Sequence, residues 1–548
     1  MRGIVRLRLQ DSAAHDDAPL VRITIPATTT SYDLPHGTLH LERAACNDTL
    51  KIDFTPNQSV RVQEISMCLD HDFTHYDRVL ANGYQSWTDT HELPLNARQR
   101  GLEGTPKRIV DTYCLDGSGD YRFYRYTNTP GHIHGWTFVY FRRSTIVTLI
   151  ASLNENRGFT LFEWRSEDHI DIIPETPAAP LEAGKRTTLG HIGIFESDAG
   201  AYPEESIDCA FDAWLSAQRK HYNLDVCKCA PLTGYSSWYR HYENITADKL
   251  LHDLAGCKQA FDTLDTAGFT RIFQIDDGYA RVGDWQQIDT QKFPQGLKLL
   301  CAEIEAAGFL PGLWMAPFVC ERASRLFAEH PDWVLRDSSG EPVRAGGHWS
   351  GSIALDTRNT DVRTYVLDCL STATRSWGFK FLKLDFLYAA CMIPHDGLNR
   401  GELMRDALTL VRHAVGPEVL IDVCGVPLAS AFGLANYCRI GCDVGLDWDG
   451  AAHMRMTERE RVSTKNSIGN TVYRAPLDGR AFGCDPDVVL LRPDVAYTPE
   501  QRRMMLVGDA AHASMLLTSD DPSTWTADQA AQFQEALNLM RTRKHGGA

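Results

Sequence analysis

The chain has 548 residues, 43% of them hydrophobic and 23% charged, an ordinary globular composition with length enough for two large domains and a deep core. That composition excludes a collagen-like, coiled-coil or globally disordered chain. The formal net charge of −16 disfavours a general nucleic-acid binder or a binder of anionic membrane, because phosphate neutralisation needs clustered Lys and Arg. No apolar run reaches the length of a membrane span, and the basic start of residues 1–19 lacks the apolar core of a secretory signal, so the expected compartment is the cytoplasm. The 15 cysteines are an odd, scattered set, as expected of packed thiols. Cys227-Lys-Cys229 and Cys438-x-x-x-Cys442 each lack the second half of a zinc site.

Residues 1–203 read as β. Short alternating runs recur at Leu50–Phe54, Val60–Met67, Trp136–Phe141, Ile146–Ala151, Phe159–Trp164 and Leu189–Phe195, with turn clusters such as 154–158 between them. This pattern predicts a β-sandwich. His132-Ile-His134 is a same-face pair in this half with no role assigned to it. Residues 204–231 begin with a linking helix over Glu204–Tyr222.

Over residues 232–548 strands and helices alternate. Strands are expected at Gly234–Tyr239, Arg271–Asp276, Leu310–Phe318, Lys380–Leu387, Val419–Cys424, Cys438–Val444, Asp487–Leu491 and Ser514–Thr518, the eight of a (β/α)₈ TIM barrel. A doubly wound sheet would want a glycine-rich dinucleotide or phosphate turn, and none follows a strand. Ala267-Gly268-Phe269, Ala307-Gly308-Phe309 and Trp377-Gly378-Phe379 read as glycine-capped helix ends, each leading into a strand. Thr498-Pro-Glu-Gln501 and Thr526-Ala-Asp-Gln529 have capping-box spacing. The last helix runs almost to the C-terminus, so no third domain is expected. The long gap 321–379 holds an insertion around Gly346–Asp356, and long loops after barrel strands are where sites are built.

Active sites of this fold sit at the C-terminal ends of the strands. The residues expected there form a ring of carboxylates: Asp276 and Asp277, Asp385, Asp422, Asp443, Asp485 and Asp487, with Lys383 and Arg439 among them. By the period of two, Lys383 and Asp385 share a face. An ionised Asp beside a Lys suits a nucleophile, and a structural ion pair closing the barrel is the plainer alternative. Asp443, from another strand, is the natural second carboxylate for double displacement through a glycosyl intermediate, with Asp422, Asp447 and Asp449 as rivals, the last two better suited to a surface loop. Asp276 and Asp277 could reach a ligand's hydroxyls or simply form a turn before Gly278. Trp238, Tyr239, Trp314 and Trp87, the last in Asn82-Gly-Tyr-Gln-Ser-Trp87, supply aromatic faces suited to a sugar, although each alone is more often core.

Five motifs occur in order: Gly234-Tyr-Ser-Ser-Trp-Tyr239, Ile275-Asp-Asp-Gly-Tyr279, Gly312-Leu-Trp-Met-Ala-Pro317, Lys383-Leu-Asp385 and Arg439-Ile-Gly-Cys-Asp443. Together they resemble the α-galactosidases (melibiases) of glycoside hydrolase family thirty-six, over nearly the whole chain, and the stretch ending in Trp87 resembles that family's N-terminal sandwich. The resemblance implies a retaining enzyme acting on terminal α-galactosyl groups of oligosaccharides such as melibiose or raffinose. It implies Asp385 as nucleophile, Asp443 as acid/base, Asp276 and Asp277 as the pair holding galactose O4 and O6, and Trp314 as the shaper of the sugar pocket. Lys383 and Arg439 become donors to ring hydroxyls, Cys424 a residue lining the pocket, and Trp238, Tyr239 and Trp87 further contacts. It implies no cofactor and no metal, no nucleic-acid or membrane partner, and it leaves the oligomeric state open.

The chain departs from many relatives in stopping after the barrel and in carrying Cys424-Gly-Val-Pro-Leu428 where larger relatives have a glycine-rich stretch. That departure keeps α-N-acetylgalactosaminidase specificity open, and the covalent intermediate keeps transglycosylation open. A metal-dependent barrel hydrolase would want His-x-His on the first strand, which has none. A non-catalytic sugar-binding protein would have shed one carboxylate, and both are present.

Overall fold

The structure is a computed structural model that describes residues 1–11, 19–44, 48–117, 119–165, 169–224, 229–450 and 457–543. Cys227, half of one cysteine pair noted above, lies outside the described residues.

Two antiparallel sheets make up the N-terminal part. One has six strands, ordered Val21–Thr24, Gly3–Asp11, Val60–Asp70, His169–Pro174, Thr160–Trp164 and Ile133–Trp136. The other has eight and runs from Thr30–Leu34 to Glu92–Pro94. Strand alternation sends Val5, Leu7 and Leu9 of the first sheet inward, where they join Leu39, Leu41, Ile52 and Phe54 of the second in one shared core. The helix Pro203–Tyr222 then lays Phe211 and Trp214 against Phe138, at ring separations of 5.2 Å each. Trp214 Nε1 donates to the Ser152 carbonyl at 2.8 Å, so the indole is buried with its polar atom satisfied. His132 and His134 are spent on carboxylates, Glu163 at 2.6 Å and Asp120 at 2.8 Å.

The second part is a curled parallel sheet of nine segments, a TIM-like domain. In chain order the segments are Leu232–Ser236, Thr270–Ile275, Leu310–Met315, Phe381–Leu384, Leu420–Val423, Tyr437–Arg439, Gly483–Asp485, Val488–Val489 and Met515–Thr518. Gly483–Asp485 pairs with the sixth segment, while Val488–Val489, just beyond, pairs with the last, which in turn pairs with the first. Pro486 has no N–H for a ladder, and Asp487 stands at φ 83, so the strand expected over 487–491 is broken and displaced toward its N-terminus. The first strand ends earlier than expected. Ser237 turns into helical φ and ψ, and Trp238–His241 forms a single helical turn, so Trp238 and Tyr239 leave the strand.

Both capping boxes form, at Thr498 and Thr526. Gly308 and Gly378 take positive φ just past their helices. Gly268 does not cap its helix, which ends at Phe261. Thr263 Oγ1 bonds the Ala260 carbonyl and Asp265 Oδ1 takes the Ala267 N–H, local side-chain bonds that compete with the helical ladder. Among the described residues no helix is long and apolar enough to cross a membrane.

Candidate active site

The fourth parallel strand ends in Leu384, and Asp385 follows it with its N–H bonded to the Met315 carbonyl at 2.8 Å. Both carboxylate oxygens of Asp385 are held. Trp314 Nε1 donates to Oδ2 at 3.0 Å and the Phe386 N–H to Oδ1 at 2.9 Å. Phe386 sits at φ 54, a left-handed conformation rare outside glycine, which turns the chain sharply behind the carboxylate.

Lys383 faces the same interior but pairs with Asp276 rather than with Asp385, Nζ to Oδ2 at 3.3 Å. Burial alone would lower its pKa; the Asp276 carboxylate outweighs burial and, with help from Asp385, raises it, so the ammonium stays charged. Asp276 and Asp277 lie just past the second strand, both buried. They diverge as consecutive residues must. Asp276 Oδ2 accepts from Gln274 Nε2 at 2.7 Å as well as from Lys383, while Asp277 Oδ2 accepts from Trp349 Nε1 at 2.8 Å. Burial first, then the Asp276 and Glu243 charges, push Asp277 up to about 7, against the opposing Trp349 bond.

Asp443 comes from the loop after the sixth strand, with about half of its side chain (49%) open to solvent. Its Oδ1 accepts from Arg439 Nη1 at 2.9 Å. Desolvation and the nearby Asp385 and Asp276 carboxylates raise its pKa, while Arg439 and Lys383 oppose. Arg439 is buried and its guanidinium is shared among three carboxylates, Asp443, Asp485 at 3.1 Å and Asp487 at 2.8 Å. A buried cation needs such partners, so most of its donors are turned to protein. Tyr239 donates to Asp487 Oδ2 at 2.5 Å, which ties the turn after the first strand to this cluster. Trp238, on the same turn, packs edge-on against Tyr242 at 5.3 Å.

Trp87 arrives from the N-terminal sheets. Its Nε1 donates to Cys424 Sγ at 2.9 Å, and its ring meets Phe386 edge-on at 5.1 Å. Trp87, Cys424, Phe386 and Asp385 thus form one connected wall. Of the rival carboxylates, Asp447 is exposed and Asp449 pairs with Arg461 at 2.5 Å. Asp422 is fully buried beside Asp485, and burial and that neighbour push it well up, toward the neutral acid.

Trp349 enters although no motif singled it out, and Asp487, expected only as one of the carboxylate ring, takes a bridging place. Trp349, at φ 53 in the 321–379 insertion, holds Asp277 and sets its ring, tilted, 4.9 Å from Phe386 and 6.2 Å from Trp314. Asp487 bridges Arg439, Tyr239 and the Val444 N–H. The insertion's length was the only signal for Trp349. Among the described residues one trio, His252, Asp253 and Asp521, has ligand atoms close enough for a metal ion. Arg240 already bridges Asp253 and Asp521 at 3.1 Å each, so a positive charge occupies that place.

A family model described as melibiase matches residues 237–407, the stretch from just past the first strand into the helix Arg400–Val415 that follows Asp385. Alpha-galactosidase 2 of Pediococcus pentosaceus is 27% identical over 172 residues, 28% of this chain and 23% of its own length. An A type blood alpha-D-galactosamine galactosaminidase of Flavonifractor plautii is 26% identical over 215 residues, 38% of this chain and 17% of its own length. The chain therefore spans less than a quarter of these curated relatives. The solved α-galactosidase of Thermus thermophilus in complex with p-nitrophenyl α-D-galactopyranoside superposes with a TM-score of 0.69 at 27% identity, covering 93% of this chain and 94% of that one. Domain match, aligned relatives and near full-length superposition agree: the chain is similar to the melibiases, α-galactosidases of the glycoside hydrolase family thirty-six type.

Proposed function

We propose that this protein is a retaining α-galactosidase that removes terminal α-galactosyl groups from oligosaccharides of the melibiose and raffinose type. The observation that carries the reading is the convergence of Asp385 and Asp443, from the fourth and sixth strands, on the Lys383–Asp276 pair, with Arg439 bound to Asp443. Asp385, held by two donors, attacks the anomeric carbon. Asp443, raised toward the protonated form, gives its proton to the departing glycosidic oxygen. The product is a galactosyl ester on Asp385, which carries no charge. Asp443, now the carboxylate, takes a proton from water as the water oxygen attacks the anomeric carbon, and Asp385 leaves as the free carboxylate. Asp276 and Asp277 serve as acceptors for galactose O4 and O6, and Trp314 shapes the pocket around them.

Support for the substrate class comes from the Thermus thermophilus relative, whose structures hold p-nitrophenyl α-D-galactopyranoside and stachyose. The relative named for a galactosaminidase raises the N-acetylated sugar as a second reading. We divide the chain into an N-terminal β-sandwich (1–203), a linking helix (204–231) and a catalytic (β/α)₈ barrel (232–548). The two segments either side of Pro486 count as one seventh strand in that barrel.

The test is nitrophenol release from 4-nitrophenyl α-galactoside by the purified protein, run beside the N-acetyl-α-galactosaminide. Release from the first alone supports the reading. Release from the second alone moves the activity to the N-acetylated sugar, and release from neither sinks both.

A further inference from the structure

Arg474, the last residue of the helix Thr464–Arg474, is fully buried. Among the described residues no carboxylate lies within ion-pair distance of it, an unusual state for a buried cation. Its guanidinium faces acceptors of the backbone instead. Nη1 donates to the Ser86 carbonyl at 2.6 Å and to the Ile440 carbonyl at 2.7 Å. Nη2 donates to the carbonyls of Gln85 and Thr88 at 3.1 Å each, and Nε to Asn82 Oδ1 at 3.1 Å. All five N–H groups of the side chain are used.

Those acceptors belong to two pieces of the site. Asn82, Gln85, Ser86 and Thr88 surround Trp87, which reaches Cys424. Ile440 follows Arg439 and precedes Asp443 by three positions, on the strand end that carries the second carboxylate. One planar cation therefore sets the loop of the N-terminal sheets against the sixth barrel strand. The neighbourhood repeats the link, since Asn470 Oδ1 on the same helix accepts the Thr90 N–H at 2.6 Å. Burial lowers the Arg474 pKa to about 10, so the site keeps a costly charge where an apolar side chain would pack without that cost.

We infer that Arg474 is a positioning residue for the reaction: it fixes Trp87 over the sugar pocket and, through the Ile440 carbonyl, fixes the strand end bearing Arg439 and Asp443. The inference rests on the α-galactosidase reading for its kinetic readout, and on the structure alone for its second readout. Lysine keeps the charge but has three N–H groups on one nitrogen in place of a planar fork of five, so it cannot serve all five acceptors at once.

The experiment compares wild type, Arg474→Lys, Trp87→Ala and the double variant. Arg474→Lys is expected to raise KM at least fivefold for 4-nitrophenyl α-galactoside, and Trp87→Ala to do likewise. The double variant is expected to keep its KM within about twofold of Trp87→Ala, because the KM effect of Arg474 runs through the residue already removed, while the hold on the Ile440 carbonyl shows as a further fall in kcat. Multiplying KM effects, or a wild-type KM in Arg474→Lys with only a lower melting temperature, would overturn the inference. Asn82→Ser, which removes one acceptor, should show the same KM change in smaller degree if Arg474→Lys does not fold. Amide hydrogen exchange is the second readout. In Arg474→Lys, segments 86–90 and 440–444 should both exchange at least tenfold faster, while Phe381–Leu384 keeps its protection. Faster exchange in one segment only, or in neither, rejects the role even if the wild type proves inactive on galactosides, whereas inactivity alone rejects only the activity reading.

Discussion

Trp314 and Asp385 are joined across adjacent strands, the indole Nε1 donating to Oδ2 at 3.0 Å while the neighbouring Phe386 N–H holds Oδ1. The carboxylate is thereby fixed in rotation before any substrate arrives. Asp385→Ala should abolish turnover, by roughly three orders of magnitude or more, without changing the circular dichroism spectrum. Trp314→Phe removes one of the two donors and should lower kcat about tenfold. Steady-state kinetics on both variants check this, and near wild-type turnover in Asp385→Ala would remove that residue as nucleophile.

Asp443 should matter in proportion to how much the leaving group needs a proton. Asp443→Ala is expected to slow release from melibiose by about 10²–10⁴-fold and from an activated aryl galactoside much less. Equal losses on the two substrates would count against the acid role.

The bond from Trp349 to Asp277 carries a pH consequence. Burial raises Asp277 to about 7, and the indole donor holds it from rising further. If the anionic carboxylate accepts a sugar hydroxyl, kcat/KM falls as pH drops through 7. Trp349→Phe removes the donor and favours the protonated form, so the acid limb should move up by about one pH unit. A pH–rate profile that does not shift, or shifts downward, contradicts this account.

Glu155 offers a prediction about stability instead of rate. It is buried, with Thr137 Oγ1 at 2.9 Å and the Thr160 N–H at 3.0 Å as its donors, and burial pushes its pKa from 4.5 to about 8. Between those values the folded chain holds a proton that the unfolded chain has lost. Stability from this group therefore falls as pH rises from 4.5 toward 8. Glu155→Gln keeps the shape without the ionisation, and at pH 8 it should be more stable than wild type by about 1–3 kcal/mol, with the advantage vanishing near pH 4.5. Denaturant titrations at the two pH values measure it; the same difference at both would refute the ionisation argument.

What could be read from sequence was what depends on local rules. Alternation on Val60–Met67 and the capping boxes at Thr498 and Thr526 follow from side-chain chemistry within a few residues. Lys383 and Asp385 share a face because a strand has a period of two. Their partners do not follow, because they come from other strands: Asp276 takes Lys383, and Trp314 takes Asp385. The same limit hid Trp349, which only an irregular insertion brings to Asp277, and the broken seventh strand, where Pro486 was visible but its effect on pairing was not. Arg474 is the extreme case. Nothing near it in sequence announces that four of its five acceptors lie in the other half of the chain.

The bond from Arg474 Nε to Asn82 Oδ1 joins positions 392 residues apart. Contacts of that separation form late, because chain closure on this scale must be met before they contribute. The fourth and fifth strands can pair, and the N-terminal sheets can close on their own core, while the mouth of the site is still unassembled. During synthesis the residue that completes it emerges after nearly all of the chain, and on refolding the recovery of activity should trail the recovery of secondary structure. Competence for the proposed reaction should therefore be a property of the docked halves, and arrive last.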